Sequence, residues 1–246
     1  MPPPVNQTPS PRVDGPCARL RRLLPWRPHC LGCGEPVAGA LDLCEDCTAR
    51  LPWNPHRCPG CARPLPDRAP SLPCPACRRT PPPVTHVVAP LLYGAPVDQW
   101  QPRFKFHQDL AAGRLLAALL AASCAMAPRP QALVPVPLHR ARLRSRGYDQ
   151  ALELARFVAR TLRLPLHRGL LARTRATAPQ SELDAAARRA NLRGAFAVPP
   201  QKRALPRHVA LVDDVMTTGA TLHAAAHALR AAGVERVDAW VCARVP

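Results

Sequence analysis

The sequence predicts an α/β fold, a parallel sheet flanked by helices, preceded by a small cysteine-rich domain. Two observations carry this reading. Of the 33 prolines, 20 lie in residues 1–83 together with nine of the 11 cysteines, whereas the chain beyond is rich in Ala, Leu and Val. In that second part short β-type runs alternate with longer helical ones, the rhythm of parallel strands joined by crossover helices.

In chain order, residues 1–25 read as a disordered Pro-rich leader, since they have little apolar surface to bury. They hold no positively charged, apolar and cleavage-site sequence of a secretory signal, so a cytoplasmic location is expected. Residues 26–83 form the cysteine-rich unit, with the triple proline Pro81–Pro83 as its boundary. Residues 84–246 form the α/β domain. Strands are expected over His86–Leu92, Ala132–Pro137, Arg207–Asp213 and Arg236–Ala243, and helices over Lys105–Ala125, Tyr148–Leu162 and Thr218–Ala232. The longest apolar run, Leu115–Ala127, falls short of the roughly 20 residues that span a bilayer, so no membrane insertion is expected.

Four C-x-x-C pairs occur in order: Cys30/Cys33, Cys44/Cys47, Cys58/Cys61 and Cys74/Cys77. Eight thiols match two tetrahedral zinc sites, and two intervening residues let both sulfurs of a pair reach one ion. Redox dithiols are the rival reading. The expected ligand sets are sequential, Cys30/Cys33/Cys44/Cys47 and Cys58/Cys61/Cys74/Cys77, because short loops close at lower entropic cost. An interleaved cross-brace is the alternative. All-cysteine sites leave no open position for water, so both ions would be structural. Cys17, Cys124 and Cys242 fall outside the pattern, and the last two suit buried positions in a helix and a strand.

The segment HVALVDDVMTTGAT, residues 208–221, is a strand, two acids and a hydroxyl- and glycine-rich turn that opens a helix. Asp213 and Asp214 arrive at the strand's carboxyl end, where carboxylates accept hydrogen bonds from a vicinal diol. Thr217, Thr218 and Thr221 offer hydroxyls, Gly219 and Ala220 permit close approach, and the helix N-terminus attracts an anion. A plain capped turn is the rival reading. His223 and His227 lie four apart on the following helix without the Glu of a zinc-protease motif and read as exposed helix residues.

This segment resembles the signature of type I phosphoribosyltransferases. The resemblance implies that Asp213 and Asp214 contact the ribose hydroxyls of 5-phosphoribosyl-1-pyrophosphate (PRPP), with Mg²⁺, while Thr217–Thr221 hold its 5-phosphate. The cysteine pairs, FKFH at Phe104–His107, VPVPLHRARLRSRGYDQA at Val134–Ala151 and RTRATAPQSELDAAARRANLRGAF at Arg173–Phe196 are similar in order to the ComF family, with its competence-associated and GntX-type members. It implies a double zinc ribbon before the phosphoribosyltransferase-like domain. By the same resemblance Leu138, His139 and Arg140 lie in a pyrophosphate loop, with Arg146 as the preferred anchor. Arg173–Phe196 is then a mobile hood carrying Thr177, Gln180, Arg188 and Arg189. The family usually has Asn where Asp149 stands.

The charge agrees with a polyanionic ligand. The chain carries 34 Lys and Arg against 16 Asp and Glu, a net +18, and residues 129–207 hold 17 basic against four acidic side chains. Such a stripe attracts PRPP or nucleic acid alike. With its competence-associated members, the ComF resemblance implies two alternative functions: a PRPP-binding protein that transfers phosphoribosyl, or a non-catalytic single-stranded DNA-binding accessory of DNA uptake that works with uptake proteins.

Overall fold

A computed structural model describes residues 28–66, 72–175, 194–201 and 204–246. Two short helices, α1 (Glu45–Ala49) and α2 (Pro75–Arg79), lie in the cysteine-rich unit. The remaining elements are β1 (Val87–Val88), β2 (Leu91–Leu92), α3 (Val97–His107), α4 (Leu110–Cys124), β3 (Ala132–Pro135), α5 (Arg140–Arg146), α6 (Gln150–Leu162), β4 (Ala172–Arg173), β5 (Phe196–Ala197), β6 (His208–Met216), α7 (Ala220–Ala231) and β7 (Arg236–Arg244).

Continuous apolar runs bury β6 and β7 on both faces, which places them at the sheet centre. β7 pairs with β6 from His208↔Arg236 to Met216↔Arg244, β3 pairs with β6, and every pairing in this sheet is parallel. On the far side of β7, β1 and β2 occupy one lane in a single register, Val87↔Ala239 and Leu91↔Ala243. The expected strand His86–Leu92 is thus split at Ala89-Pro90. Proline has no N–H to give a ladder, so it is tolerated on an edge lane.

The expected helix Lys105–Ala125 is two helices. Gln108 takes a left-handed conformation (φ 54°) and ends α3, and the Asp109 carboxylate then caps α4 by accepting from Ala112 N–H at 3.0 Å. Asp before an apolar run was the available signal. α5 arises within the expected loop after β3, and its C-cap Gly147 has φ 83°. β6 also runs three residues past Asp213, because β7 continues to pair with it as far as Arg244.

One apolar layer packs α3, α4 and α6 on one face of the sheet through Trp100, Phe104, Leu116, Leu120, Leu154 and Val158. The opposite layer packs α7 and the β4–β5 hairpin through Leu222, Leu229, Leu170 and Phe196. The chain therefore leaves β3 toward one face, through α6, and leaves β6 toward the other, through α7. A crevice opens where neighbouring strands send their helices to opposite faces, and ligands of such sheets bind there.

The cysteine-rich unit packs directly on this domain. Segment 52–54 pairs with the β2 edge, with a Trp53↔Leu91 bridge, Asn54 N–H on Pro90 O (2.7 Å) and Leu92 N–H on Pro52 O (2.8 Å). Asn54 is buried and its amide donates to Ala62 O and Ala89 O at 2.9 and 3.2 Å. The first four-cysteine lobe joins the α3/α4 layer through Val37, Leu43 and Leu51, with Trp100 Nε1 donating to Leu31 O (3.3 Å) and an Arg114–Asp42 ion pair. The second lobe sits on the α7 side, where Arg244 Nε donates to Cys61 O (2.9 Å) and Val87 N–H to Pro59 O (2.7 Å). The two lobes straddle one sheet edge and cover its free backbone groups. No helix among the described residues is long and apolar enough to cross a membrane.

Candidate functional site: two cysteine centres and a crevice

The thiols gather as two sets, Cys30/Cys33/Cys44/Cys47 and Cys58/Cys61/Cys74/Cys77, with the sulfurs of each set within 4.8 Å of one another. This is the sequential arrangement. Backbone N–H groups point at the sulfurs: Gly32 and Cys44 donate to Cys30 Sγ at 3.4 Å each, and Cys74 donates to Cys58 Sγ at 3.2 Å. At Gly32 a Cβ would stand 2.8 Å from Cys47 Sγ, so the knuckle closes only around glycine.

Four thiols at this spacing cannot all ionise without a cation. In the first set burial works to raise the Cys30 thiol, but the N–H groups of Cys44, Cys33 and Gly32 outweigh it and bring it down to about 6. Cys47 is pushed up to about 12, first by the neighbouring Cys44 sulfur and then by burial. A soft divalent ion resolves this conflict, and the sulfur-only donor set suits zinc. Cys124 and Cys242 are buried in α4 and β7, away from both sets.

The crevice is built from the carboxyl ends of β3 and β6. Val136 N–H donates to Val212 O (2.9 Å), which holds the loop after β3 beside the end of β6. Both acids stay inside the extended strand, at its carboxyl end beside the loop after β3. Asp214 is 5% exposed and faces α3: Lys105 Nζ lies 3.5 Å from its Oδ2, and Gln101 Nε2 donates to its backbone oxygen at 3.2 Å. That Oδ2 is buried and accepts no hydrogen bond. Asp213 is half-buried, and its Oδ1 accepts from Asp214 N–H at 2.9 Å. Burial first, and the Asp214 charge second, hold the Asp213 carboxyl well above the usual carboxylate range. Lys105 and the Asp214 N–H oppose them.

Beyond the acids, Gly219 is left-handed (φ 81°) at the head of α7, where a Cβ would stand 2.5 Å from Met216 Cε and 3.2 Å from His223 Nε2. Only glycine makes this turn. Thr217 is exposed, Thr218 Oγ1 accepts from Ala220 N–H at 3.3 Å, Ala220 is buried and Thr221 half-buried. His223, expected to be exposed, is half-buried beneath the turn, because the same tight glycine approach draws α7 onto it. Burial, and then His227, lower its imidazole to about 4. His227 is exposed.

The other wall comes from β3, α5 and α6. Leu138 N–H donates to Asp149 Oδ2 at 3.3 Å, and Asp149 Oδ1 caps α6 by accepting from Leu152 N–H at 3.1 Å. Asp149 therefore tethers the loop after β3 to the head of α6. His139 serves as the cap of α5, its Nδ1 accepting from Ala141 N–H at 3.3 Å. Arg140 is exposed, whereas Arg146 is half-buried, donates to Gln150 Oε1 at 2.8 Å and lies over Phe106 at 5.3 Å. Burial lowers the Arg146 guanidinium below its ordinary value, and the Asp214 charge works against that shift.

Three contributors were not singled out from the sequence: Lys105, Gln101 and Arg173. Arg173 lies over Phe196 (5.4 Å) and senses, after burial, Arg142 and then Asp213. The signal for Lys105 stood inside FKFH. Thr177, Gln180, Arg188, Arg189, Cys17 and residues 1–25 lie outside the described residues.

Two closed sulfur centres joined to a parallel-sheet domain, with an acidic strand end running into an anion-type helix turn, define a zinc-ribbon protein with a phosphoribosyltransferase-type domain. Residues 19–78 match the double zinc ribbon domain and residues 149–246 the phosphoribosyl transferase domain. The chain is 36% identical to competence protein F of Haemophilus influenzae over 224 residues, 88% of this chain and 96% of that protein. It is 33% identical to DNA utilization protein YhgH of Salmonella typhi and 32% identical to that of Escherichia coli K12, each over 87% of this chain and 96% of the relative. The chain belongs to the ComF family of competence and DNA utilization proteins, and it carries two four-cysteine zinc-binding sites.

Proposed function

We propose that the crevice binds a phosphoribosyl ligand, PRPP or ribose 5-phosphate, with Mg²⁺, and transfers phosphoribosyl with release of pyrophosphate. The observation that carries this reading is the run from Asp213 and Asp214 into the Thr217–Thr221 turn, with Lys105 paired to Asp214 and Arg146 sharing the Phe106 ring with Lys105. The ribose hydroxyls donate to the two carboxylates, the 5-phosphate lies on the N–H groups at the head of α7, and pyrophosphate lies beside Leu138–Arg140 and Arg146. Asp214 Oδ2, buried beside Lys105 and accepting no hydrogen bond, and the adjacent Asp213 are hard oxygen donors that fit Mg²⁺, directly or through water. Bound there, Mg²⁺ supplies charge neutralisation of the phosphates.

In the transfer, the C1–O bond to pyrophosphate breaks with its electron pair leaving on oxygen. An incoming nucleophile then bonds to C1 and gives its proton to solvent. Arg146 and its neighbours stabilise charge on the departing group in a partly desolvated site. No covalent protein nucleophile is needed. Calorimetry with PRPP and Mg²⁺ tests the reading: Asp213→Asn/Asp214→Asn should abolish binding, and an unchanged affinity overturns it.

A second reading, a single-stranded DNA-binding role in DNA utilisation, is favoured by a separate feature. A groove of about 460 Å³ at the carboxyl end of α6 is lined by Arg156, Arg160 and Arg163 over Ala159, Leu164 and Leu166. It lies at the opposite end of α6 from the crevice, and its arginines recur on one helix face. Binding there should weaken steeply with salt, and each Arg→Gln should reduce the salt slope by about 1. Oligonucleotide binding that ignores both salt and these arginines would remove this reading.

A further inference from the structure

The last turn of α3, Phe104-Lys105-Phe106-His107, sends neighbouring side chains to different places. Phe104 enters the core, edge-on to Tyr148 with ring centroids 5.7 Å apart. Lys105 turns to Asp214. Phe106 follows neither and is 64% exposed, more than any other aromatic side chain among the described residues. In a chain with 4% aromatic residues, an uncovered phenyl ring beside a polar crevice is out of place as packing.

The ring is held at the crevice by two cations. Lys105 Nζ lies 5.9 Å and Arg146 Cζ 5.3 Å from its centroid. Lys105 is also the partner of Asp214, 3.5 Å from its Oδ2, so the ring stands one side-chain head group away from that acid. A guanidinium and an ammonium over a phenyl ring form weak, replaceable contacts at an exposed site. When Arg146 turns to a phosphate, the ring is left with an open π-face next to a ribose site.

We infer that Phe106 is a stacking shelf for a nucleobase, so that the crevice takes a whole ribonucleotide. The base lies on Phe106, the ribose diol on Asp213 and Asp214, and the 5′-phosphate at the head of α7. This inference rests on the ribose reading above. The chemistry selects its occupant. A base is the planar group carried on C1 of a ribose phosphate, and aromatic rings accept any base through its π-face. Two carboxylates facing a diol ask for both hydroxyls, which a free ribonucleotide has. Deoxyribose lacks the 2′-hydroxyl, and linkage within a strand esterifies the 3′-hydroxyl. DNA is therefore directed away from this crevice.

The test is calorimetry on the full zinc-loaded chain with Mg²⁺, using ribose 5-phosphate, AMP and dAMP as probes. Wild type should bind AMP about 5- to 150-fold more tightly than ribose 5-phosphate, the range that stacking on one ring supports. In Phe106→Ala the two affinities should become equal with ribose 5-phosphate unchanged, and Phe106→Trp should keep the difference. Since Phe106 is exposed, neither substitution should move the melting temperature. Equal affinities in wild type, or an AMP advantage that survives Phe106→Ala, overturns the shelf while leaving the ribose site standing. Failure of wild type to bind either ligand overturns both, and dAMP binding as tightly as AMP overturns the selection by the diol.

Discussion

Gly32→Ala puts a methyl group where the first sulfur centre has no room. The new Cβ would stand 2.8 Å from Cys47 Sγ, 3.1 Å from Cys47 Cβ and 3.5 Å from Leu43 Cδ1. Leu43 is core and cannot retreat, so Cys47 must move out of the tetrahedron or the knuckle must open. Overpacking of this kind costs about 1–3 kcal/mol. Charged against metal binding, that is an affinity loss of about 5- to 150-fold. A structural four-cysteine site starts from about 10–16 kcal/mol, so the site still fills at saturating zinc. The loss shows under competition with a chromophoric chelator: wild type should retain two ions at a chelator concentration where Gly32→Ala retains one. Gly39→Ala is the control, because its Cβ would meet nothing nearer than Leu41 N at 3.9 Å. Two ions held with wild-type affinity in Gly32→Ala would refute the steric account of this knuckle.

Three further outcomes follow from the packing and the titrating groups. Gly113→Ala drives a Cβ to 2.3 Å from Phe104 Cε2 in the core, so despite a gain of up to about 1 kcal/mol in helix propensity it should lower the urea midpoint, with rescue by Phe104→Leu. Removing zinc with a chelator should lower the melting temperature of the α/β domain as well as of the ribbons, because segment 52–54 is held on the β2 edge; an unchanged α/β transition by circular dichroism contradicts this. His223 has its folded value lowered to about 4, below an ordinary histidine, so the unfolded chain protonates first and stability falls as pH drops from about 6.5 to about 4. His86 shifts in the same direction, also by burial. Thermal midpoints at pH 7.5 and 5 should therefore differ less in His223→Gln than in wild type.

How far the site could be read in the sequence depends on how local its parts are. The C-x-x-C pairs bring their sulfurs together within a turn, and the strand, acids, threonines and glycine of residues 208–221 are contiguous. Such pieces are fixed by spacing and backbone conformation, so the cysteine sets and the acidic turn were both legible. Gln108 was not: a left-handed residue that splits one apolar stretch into α3 and α4 leaves no periodic mark. Nor was the extension of β6 past the acids, because strand ends are decided by the partner strand, here β7.

By itself the sequence determined the class of protein: two four-cysteine centres, a parallel-sheet domain, an acidic strand end and a basic stripe. Only the tertiary structure decided what faces what. Asp214 is buried and Asp213 only half-buried, although the two are adjacent in sequence, because α3 packs over the former. Lys105 reaches Asp214 across 109 positions of chain because α3 packs over the sheet end. The two ribbons straddle one edge because β1 and β2, interrupted by Pro90, leave backbone groups there for segment 52–54 to cover. Spacing along a chain specifies groups that a single turn brings together, whereas contacts between layers depend on which helix each face of the sheet buries.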